Sequence, residues 1–281
     1  AAVAAVATPE QKARWGQVWA AMAITEPGAG SDSAAIRTTA RLEGNEWVIN
    51  GEKIYVTAGE RATAVVVWAT LDRNMGRAAI KSFFVPKGSP GMQLVRLDKK
   101  LGIRASDTAV LSFNDCRIPK DNILGSPEID TKKGFGGVMQ TFDNTRPIVA
   151  AMALGVARAS LEVTETFLKE AGVDTRMRGS RWTQHAATAE LHRMKAELEA
   201  ARLLTLKAAW MADNGIPNSV EASMAKAKAG RTANEVTLRC VELCGATGYG
   251  ETELLEKWAR DSKILDIFEG TQQIQLLIVA R

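Results

Sequence analysis

Near Gly134 the hydrophobic period of this chain changes from two residues to about 3.6, and that single switch limits the folds open to it. Upstream, "IRTTARLEGNEWVINGEKIYVTAG", "AVVVWATLD", "IKSFFVPKG", "MQLVRLD" and "AVLSFNDCRIP" follow a period of two between turn residues. Gly-Asn and Asn-Gly pairs separate such runs with scarcely any helical stretch, so residues 22–125 are expected to form an antiparallel sheet or barrel. Downstream, Ala, Leu, Glu, Lys and Arg dominate, with apolar residues recurring at three and four as in "LHRMKAELEAARLLTLKAAW". Helices are predicted over 135–169, 181–214, 219–244, 252–267 and from 271 onward, and their short Gly-, Asn- or Pro-bearing connections point to an antiparallel bundle. The expected fold class is α+β, a β-sheet or barrel domain over 22–125 followed by a helical bundle over 126–281. Ahead of both, Thr8-Pro9-Glu10-Gln11 reads as a helix start, with Thr8 as N-cap, Pro9 at the first helical position and Gln11 completing a capping box.

Composition removes several function classes. With 281 residues, 46% of them hydrophobic, the chain can bury enough core for two domains. Its 36 Lys plus Arg against 32 Asp plus Glu give +4, a mild excess that suits an anionic small-molecule ligand. The basic residues are dispersed, with pairs such as Lys99-Lys100 the longest runs, so no nucleic-acid partner is expected. Three cysteines, an odd number, argue for a reducing compartment rather than a disulfide framework. Cys240 and Cys244 are one helical turn apart, which suits half a metal site or core packing; no second pair accompanies them, and core packing is the expectation. His185 and His192 are assigned to solvent or a helix neighbour rather than to catalysis. The longest uncharged apolar stretch, residues 148–157, is too short to cross a bilayer, and no charged signal region precedes it. No membrane insertion is expected, and the location is cytoplasmic, or the mitochondrial matrix in a eukaryote. Both ends read as cut, since the chain opens without Met and stops at Arg281 inside a helical pattern.

Five stretches are candidates for chemistry. In "AITEPGAGSDSAAI", Gly28, Gly30, Ser31 and Ser33 suit a loop that offers N–H groups and hydroxyls to phosphate oxygens, or an ordinary Gly-rich turn. It lacks the dinucleotide fingerprint. "GEKIYVTAG" places Tyr55 and Thr57 on one strand face, suited to stacking on a flat ring or simply to a sheet. "FDNTRP" sets Arg146 three residues after Asp143, for an anion or for an intrachain pair. In "CVELCGATGYGE" the plain reading is that Gly245 ends a helix. Finally, "DIFEGTQQIQLL" isolates one carboxylate, Glu269, in a break between an apolar pair and Gly270, and breaks carry chemistry more often than helix faces do.

Taken in order, "TEPGAGSD", "FDNTRP", "GATGYG" and "IFEGTQQIQ" resemble the acyl-CoA dehydrogenase family, and the likeness runs from about Pro9 to Arg281. The resemblance implies an N-terminal helical domain, of which residues 1–21 are the end, a middle β domain and a C-terminal helical bundle. It implies bound FAD, an acyl-CoA substrate, electron-transfer flavoprotein as acceptor, and a homo-oligomer built as a dimer of dimers. On this match Met22, Ile24, Thr25, Gly30 and Ser31 contact the flavin ring and phosphates, with Ser31 also near the thioester ligand. Tyr55 stands where many members have Trp, Val56 follows it at the cofactor, and Thr57 matches a hydroxyl close to flavin N5. Phe142, Asp143 and Arg146 match positions that hold the CoA portion. Glu242, Gly245 and Ala246 lie in the loop that approaches the FAD of a neighbouring subunit; Glu242 and Ala246 depart from the family pattern. A further departure is "DTRMRGSRW", standing where members carry an Arg, Thr, Phe, Gly cluster, with Arg176 or Arg178 as candidate replacements. Thr271 and Gln273 match residues that reach FAD, and Arg281 one near the ligand.

Glu269 matches the family's catalytic base, which takes the pro-R α proton of an acyl-CoA thioester while the β hydride passes to flavin N5, giving a trans-2-enoyl-CoA. Ile267 and Phe268 are expected to desolvate Glu269 and raise its pKa, against the helix start at Thr271, whose dipole contributes less than ~1 kcal/mol. Gly270 lets the chain turn so that the Glu269 N–H faces the thioester oxygen, an oxyanion donor worth roughly 3 kcal/mol. Some relatives carry the base near "FDNTRP", but here Thr145 occupies that place and no carboxylate competes. Rival readings keep the fold and make the chain a non-catalytic or DNA-binding member, a partner subunit of a heteromeric dehydrogenase, or a fragment that holds FAD weakly; the intact Glu269 and the dispersed basic residues oppose the first two.

Overall fold

Residues 2–129 and 136–281 are described by the computed structural model, and the chain divides into two units, Ala1–Lys100 with Arg104–Thr141 and Leu101–Ile103 with Phe142–Arg281. In the first unit, α1 (Ala2–Val6) and α2 (Pro9–Trp15) precede the sheet. The expected capping box is present: Gln11 N donates to Thr8 Oγ1 (3.3 Å) and Thr8 N to Gln11 Oε1 (3.1 Å). Gln11 also donates through Nε2 to Ile123 O (2.6 Å) and accepts from Gly125 N (3.0 Å), so one cap residue ties the helix to the chain leaving the sheet.

Seven strands follow: β1 (Ala20–Ala23), β2 (Thr39–Glu43), β3 (Glu46–Thr57), β4 (Ala64–Thr70), β5 (Ile80–Pro86), β6 (Met92–Leu97) and β7 (Thr108–Pro119). They make one sheet in the order β1-β4-β2-β3-β7-β6, with β5 also paired to β4. Most pairings are antiparallel, but β1 runs parallel to β4, and β2 meets β4 in parallel at Thr39 and Thr70. β4 is buried at every position, the run of Val and Ala suited to a strand covered on both faces. Gly44, at φ 60°, turns the β2–β3 hairpin as its Gly-Asn pair foretells. Asn50-Gly51, the other turn signal, does not turn: β3 runs through it, with a register shift against β7. A Cβ on Gly51 would stand 2.4 Å from Thr38 Oγ1, so the glycine serves close approach within a bulge. The sheet's core includes Trp47, Ile49, Val67, Phe83, Leu111 and Phe113, with Trp47 set edge-on to Phe83 at 5.2 Å.

The remaining helices are α3 (Gly136–Glu170), which enters the second unit at Phe142, and, wholly within that unit, α4 (Ala186–Asp213), α5 (Ser219–Tyr249), α6 (Leu255–Ser262) and α7 (Gln272–Val279). The predicted helix start at residue 135 lies outside the described residues. α5 is the axis, packing against α4, α6 and α7. Small buried residues such as Ala201, Ala208, Ala225, Ala229 and Ala233 interleave with Leu191, Met194 and Val236 in its core. Within α3, Thr141–Glu170 is long and apolar enough by composition to cross a bilayer (30 residues, hydropathy 1.3), yet Val149, Ala153, Ala157 and Leu161 are buried in the bundle core. Gly245, at φ 56° and ψ −133°, breaks α5 where sequence ends it, but one more turn follows to Tyr249. The predicted helix at 252–267 shortens to α6 plus a tight turn over Lys263–Asp266. Leu101–Ile103 belongs here because Ile103 N donates to Asp261 Oδ1 (2.6 Å) and Arg260 Nη1 to Leu101 O (3.1 Å). Cys240 and Cys244 are buried against Thr164, and burial pushes the Cys240 thiol up to about 11. His185 caps α4, its Nδ1 accepting from Ala187 N (3.1 Å).

Candidate functional site

Glu269 stands in the short connection before α7 with a backbone φ of 55°, and Gly270 follows at 94°. Two successive residues in the left-handed region, the first not a glycine, make a strained turn of the kind that persists only where surroundings hold it. Thr271 ends the turn by capping α7, its hydroxyl accepting from Ile274 N (3.4 Å). The Glu269 Oε2 accepts a hydrogen bond from the Thr145 hydroxyl (2.8 Å); among the described residues, Oε1 and the Glu269 N–H have no partner.

α3 brings Phe142, Asp143, Thr145 and Arg146 to this carboxylate. Pro147 removes the N–H that would have donated to the Asp143 carbonyl, and the Thr145 hydroxyl also lies 3.2 Å from Phe142 O. Arg146 is only 3% exposed, with Nη1 2.6 Å from Asp143 Oδ1 and 3.5 Å from Ser223 Oγ. The intrachain pair weighed from sequence is therefore the one formed. Arg146 also acts on Glu269 as a buried charge. From α5, Lys226 donates to Gly270 O (2.6 Å), with Asp266 the principal negative charge acting on it.

Burial raises the pKa of Glu269 above the usual carboxylate range, while the Thr145 hydroxyl and the Arg146 and Lys226 charges pull it back down. The direction and its leading cause, burial, are the ones expected; of the two apolar neighbours, Phe268 packs against the bundle core and Ile267 is 46% exposed. A carboxylate can accept a proton only when ionised, so any proton removal by Glu269 is expected to slow as pH drops through this raised value. Thr145→Val removes one downward influence, so the acid limb of the pH–rate profile is expected at higher pH than in the parent; a limb that stays put or moves down would contradict the assignment.

In the first unit, the loop after β1 carries the other candidates. Ile54 N donates to Thr25 O (2.9 Å), and Lys53 Nζ donates to Ile24 O (3.0 Å) and to Glu26 Oε1 (2.7 Å). Glu26 accepts in addition from Thr38 N (2.9 Å), Thr38 Oγ1 (2.6 Å) and Arg37 N (2.6 Å). Burial pushes Glu26 upward, but the Lys53 charge and these donors outweigh it and leave the acid below its ordinary range. Burial likewise brings Lys53 down to about 8 despite Glu26. Sequence reasoning missed this pair, as it missed Lys226; Lys53 sits inside "GEKIYVTAG", quoted for Tyr55 and Thr57.

Beyond Lys53 the β3–β7 register shifts, and Tyr55 takes φ 57°. Simple alternation would put Lys53, Tyr55 and Thr57 on one face; the bulge instead buries Lys53 and Val56 while Tyr55 (65% exposed) and Thr57 open outward. Met22 and Ile24 are half-buried, and Gly30 and Ser31 are exposed. A Cβ at Gly28 or Gly30 would meet nothing within 4 Å, and the Thr25, Ser31 and Thr57 hydroxyls bond no other described residue. Bare glycines, free hydroxyls and an outward aromatic plane suit a flat, phosphate-bearing cofactor such as FAD.

The remaining candidates are not joined to Glu269 by any hydrogen bond or ion pair among the described residues. Glu242 pairs with Arg239, Gly245 and Ala246 lie exposed at the break in α5, and Gln273 and Arg281 are exposed. Arg176 is engaged by Asp174 at 2.8 and 3.0 Å, which holds that carboxylate down at about 2.

The profile for the acyl-CoA dehydrogenase middle domain matches residues 21–116, and that for the acyl-CoA dehydrogenase C-terminal domain matches 132–281. The mitochondrial short-chain specific acyl-CoA dehydrogenase of Bos taurus is 41% identical over 280 residues, 97% of this chain and 66% of that protein. This chain thus spans just under two thirds of that relative's length. Butyryl-CoA dehydrogenase from Megasphaera elsdenii superposes with a TM-score of 0.90 at 34% identity, over 99% of this chain and 73% of that one. A structure of the electron transferring flavoprotein of Acidaminococcus fermentans matches with a TM-score of 0.90 at 36% identity, over 100% of this chain and 73% of that one.

Proposed function

We propose, from the premise that this chain belongs to the acyl-CoA dehydrogenase family, that it carries out FAD-dependent α,β-dehydrogenation of a short acyl-CoA thioester to the trans-2-enoyl-CoA. The observation that carries this reading is the Glu269 carboxylate, with its raised pKa, one oxygen held by Thr145 and the other without a partner among the described residues. FAD, when bound, supplies the acceptor for the β hydride.

This chain's own residues supply the remainder. Ionised Glu269 takes the α proton on Oε1, while Thr145 fixes the carboxylate plane through Oε2. Its unpartnered N–H is available to the thioester oxygen as negative charge develops there. The Arg146 and Lys226 charges oppose the upward push of burial and so favour the ionised carboxylate. Thr25, Gly30, Ser31, Tyr55, Val56 and Thr57 would hold the cofactor. The substrate chain length follows the short-chain relatives, and electron-transfer flavoprotein is the proposed acceptor. Leu203, Leu206 and Trp210, exposed on one face of α4, support a homo-oligomer.

Loaded with FAD and freed of oxygen, the full chain is expected to lose its flavin absorption when butyryl-CoA is added. An unchanged spectrum across short, medium and branched acyl-CoAs would contradict the reading.

A further inference from the structure

We infer that Lys226 and Gln275 are positioning residues whose donors clamp the Glu269–Gly270 turn and so aim the catalytic carboxylate. The inference rests on Glu269 being the base.

Three observations converge on the turn. Lys226 is 0% exposed, and its ammonium donates to Gly270 O (2.6 Å) with no carboxylate within ion-pair distance among the described residues. A neutral donor would cap one carbonyl at far smaller desolvation cost, so a buried cation here needs a reason beyond capping. Gln275, equally buried, donates from Nε2 to both Glu269 O (3.0 Å) and Gly270 O (3.1 Å). Its Oε1 is buried without a partner among the described residues, so the amide is held in place for its donor end at the expense of its acceptor end. The glycine completes the fit: a Cβ on Gly270 would stand 2.4 Å from Gln275 Nε2.

The clamp explains how Glu269 keeps a φ of 55°. Both carbonyls of the turn point inward to donors from two helices, which turns the Glu269 N–H and side chain away from them. Lys226 adds its charge to the same side chain. The charged groups acting on Glu269 are then Arg146, with its partner Asp143, from α3 and Lys226 from α5, while Asp266 on the preceding turn acts on Lys226.

The test uses the FAD-loaded full chain and anaerobic mixing with butyryl-CoA. Lys226→Met and Gln275→Met are each expected to slow flavin reduction about 100-fold, with the KM for butyryl-CoA within about threefold of the parent. The two differ in pH behaviour. Removing the Lys226 charge moves the acid limb to higher pH, Gln275→Met leaves it in place, and Lys226→Arg returns it while staying slow. A change that acted only through stability would move no limb. Should Lys226→Met fail to retain flavin, Lys226→Arg decides: slow reduction supports the clamp, and parental speed overturns it. Parental rates and limbs in the Met variants, with Glu269→Gln inactive, would overturn the clamp and leave the base in place. A fully active Glu269→Gln would instead remove the reading on which the clamp rests.

Discussion

Glu269→Gln is expected to slow anaerobic flavin reduction by acyl-CoA about 10,000-fold while FAD content and acyl-CoA affinity stay near parental values. The amide has the volume of the acid, and its oxygen can still accept from the Thr145 hydroxyl 2.8 Å away. What it lacks is basicity. Asp143 is committed to Arg146, and Asp266 acts on Lys226 rather than on Glu269. Stopped-flow absorbance reads the rate, and reduction within about tenfold of the parent would transfer the base to another group.

Lys53→Met is expected to destabilise the first unit by about 3–5 kcal/mol, because it leaves the Glu26 carboxylate buried without its cation. Lys53 is fully buried and Glu26 nearly so, hence solvent does not screen the loss. Glu26→Gln in the same chain should recover much of the stability, since an amide oxygen can still accept from Thr38. Denaturant unfolding measures both; equal midpoints for parent and Lys53→Met would contradict the pair's role. Glu26 is held below the ordinary carboxylate range, so its contribution is present at neutral pH and lost as pH falls through its folded-state value. The same substitution should weaken FAD retention, since Lys53 also holds Ile24 O at the start of the Gly-rich loop.

What was legible in the sequence was local or periodic. The box at Thr8 and Gln11 needs only neighbouring residues, and the helices of the second unit follow from their 3.6-residue period. Glu269 stood out because a lone acid before Gly-Thr breaks a pattern. Long-range pairing was not legible. Nothing in "NGEKIYVT" announces that β7 will force one bulge at Asn50-Gly51 and another before Tyr55, yet the second decides which of Lys53 and Tyr55 is inside. The parallel β1–β4 pairing likewise depends on partners distant in sequence.

Charged residues at depth were the other gap. "MAKAKAG" offers two lysines two positions apart, nearly opposite on a helix; Lys226 goes inward to Gly270, and Lys228 reaches Glu197 near the surface. Composition treats them alike. Ile267 errs in the reverse direction, an apolar neighbour of the acid that is 46% exposed, while burial, opposed by Thr145, Arg146 and Lys226, sets the direction of the acid's shift.

Proton abstraction by Glu269 is tested most directly by following deuterium at the α carbon of butyryl-CoA in D2O, with the FAD-loaded chain under anaerobic conditions and mass spectrometry as the readout. The parent protein should place deuterium at that carbon and Glu269→Gln should not, at equal flavin occupancy. Undiminished α-deuteration by Glu269→Gln would show that some other group removes the proton.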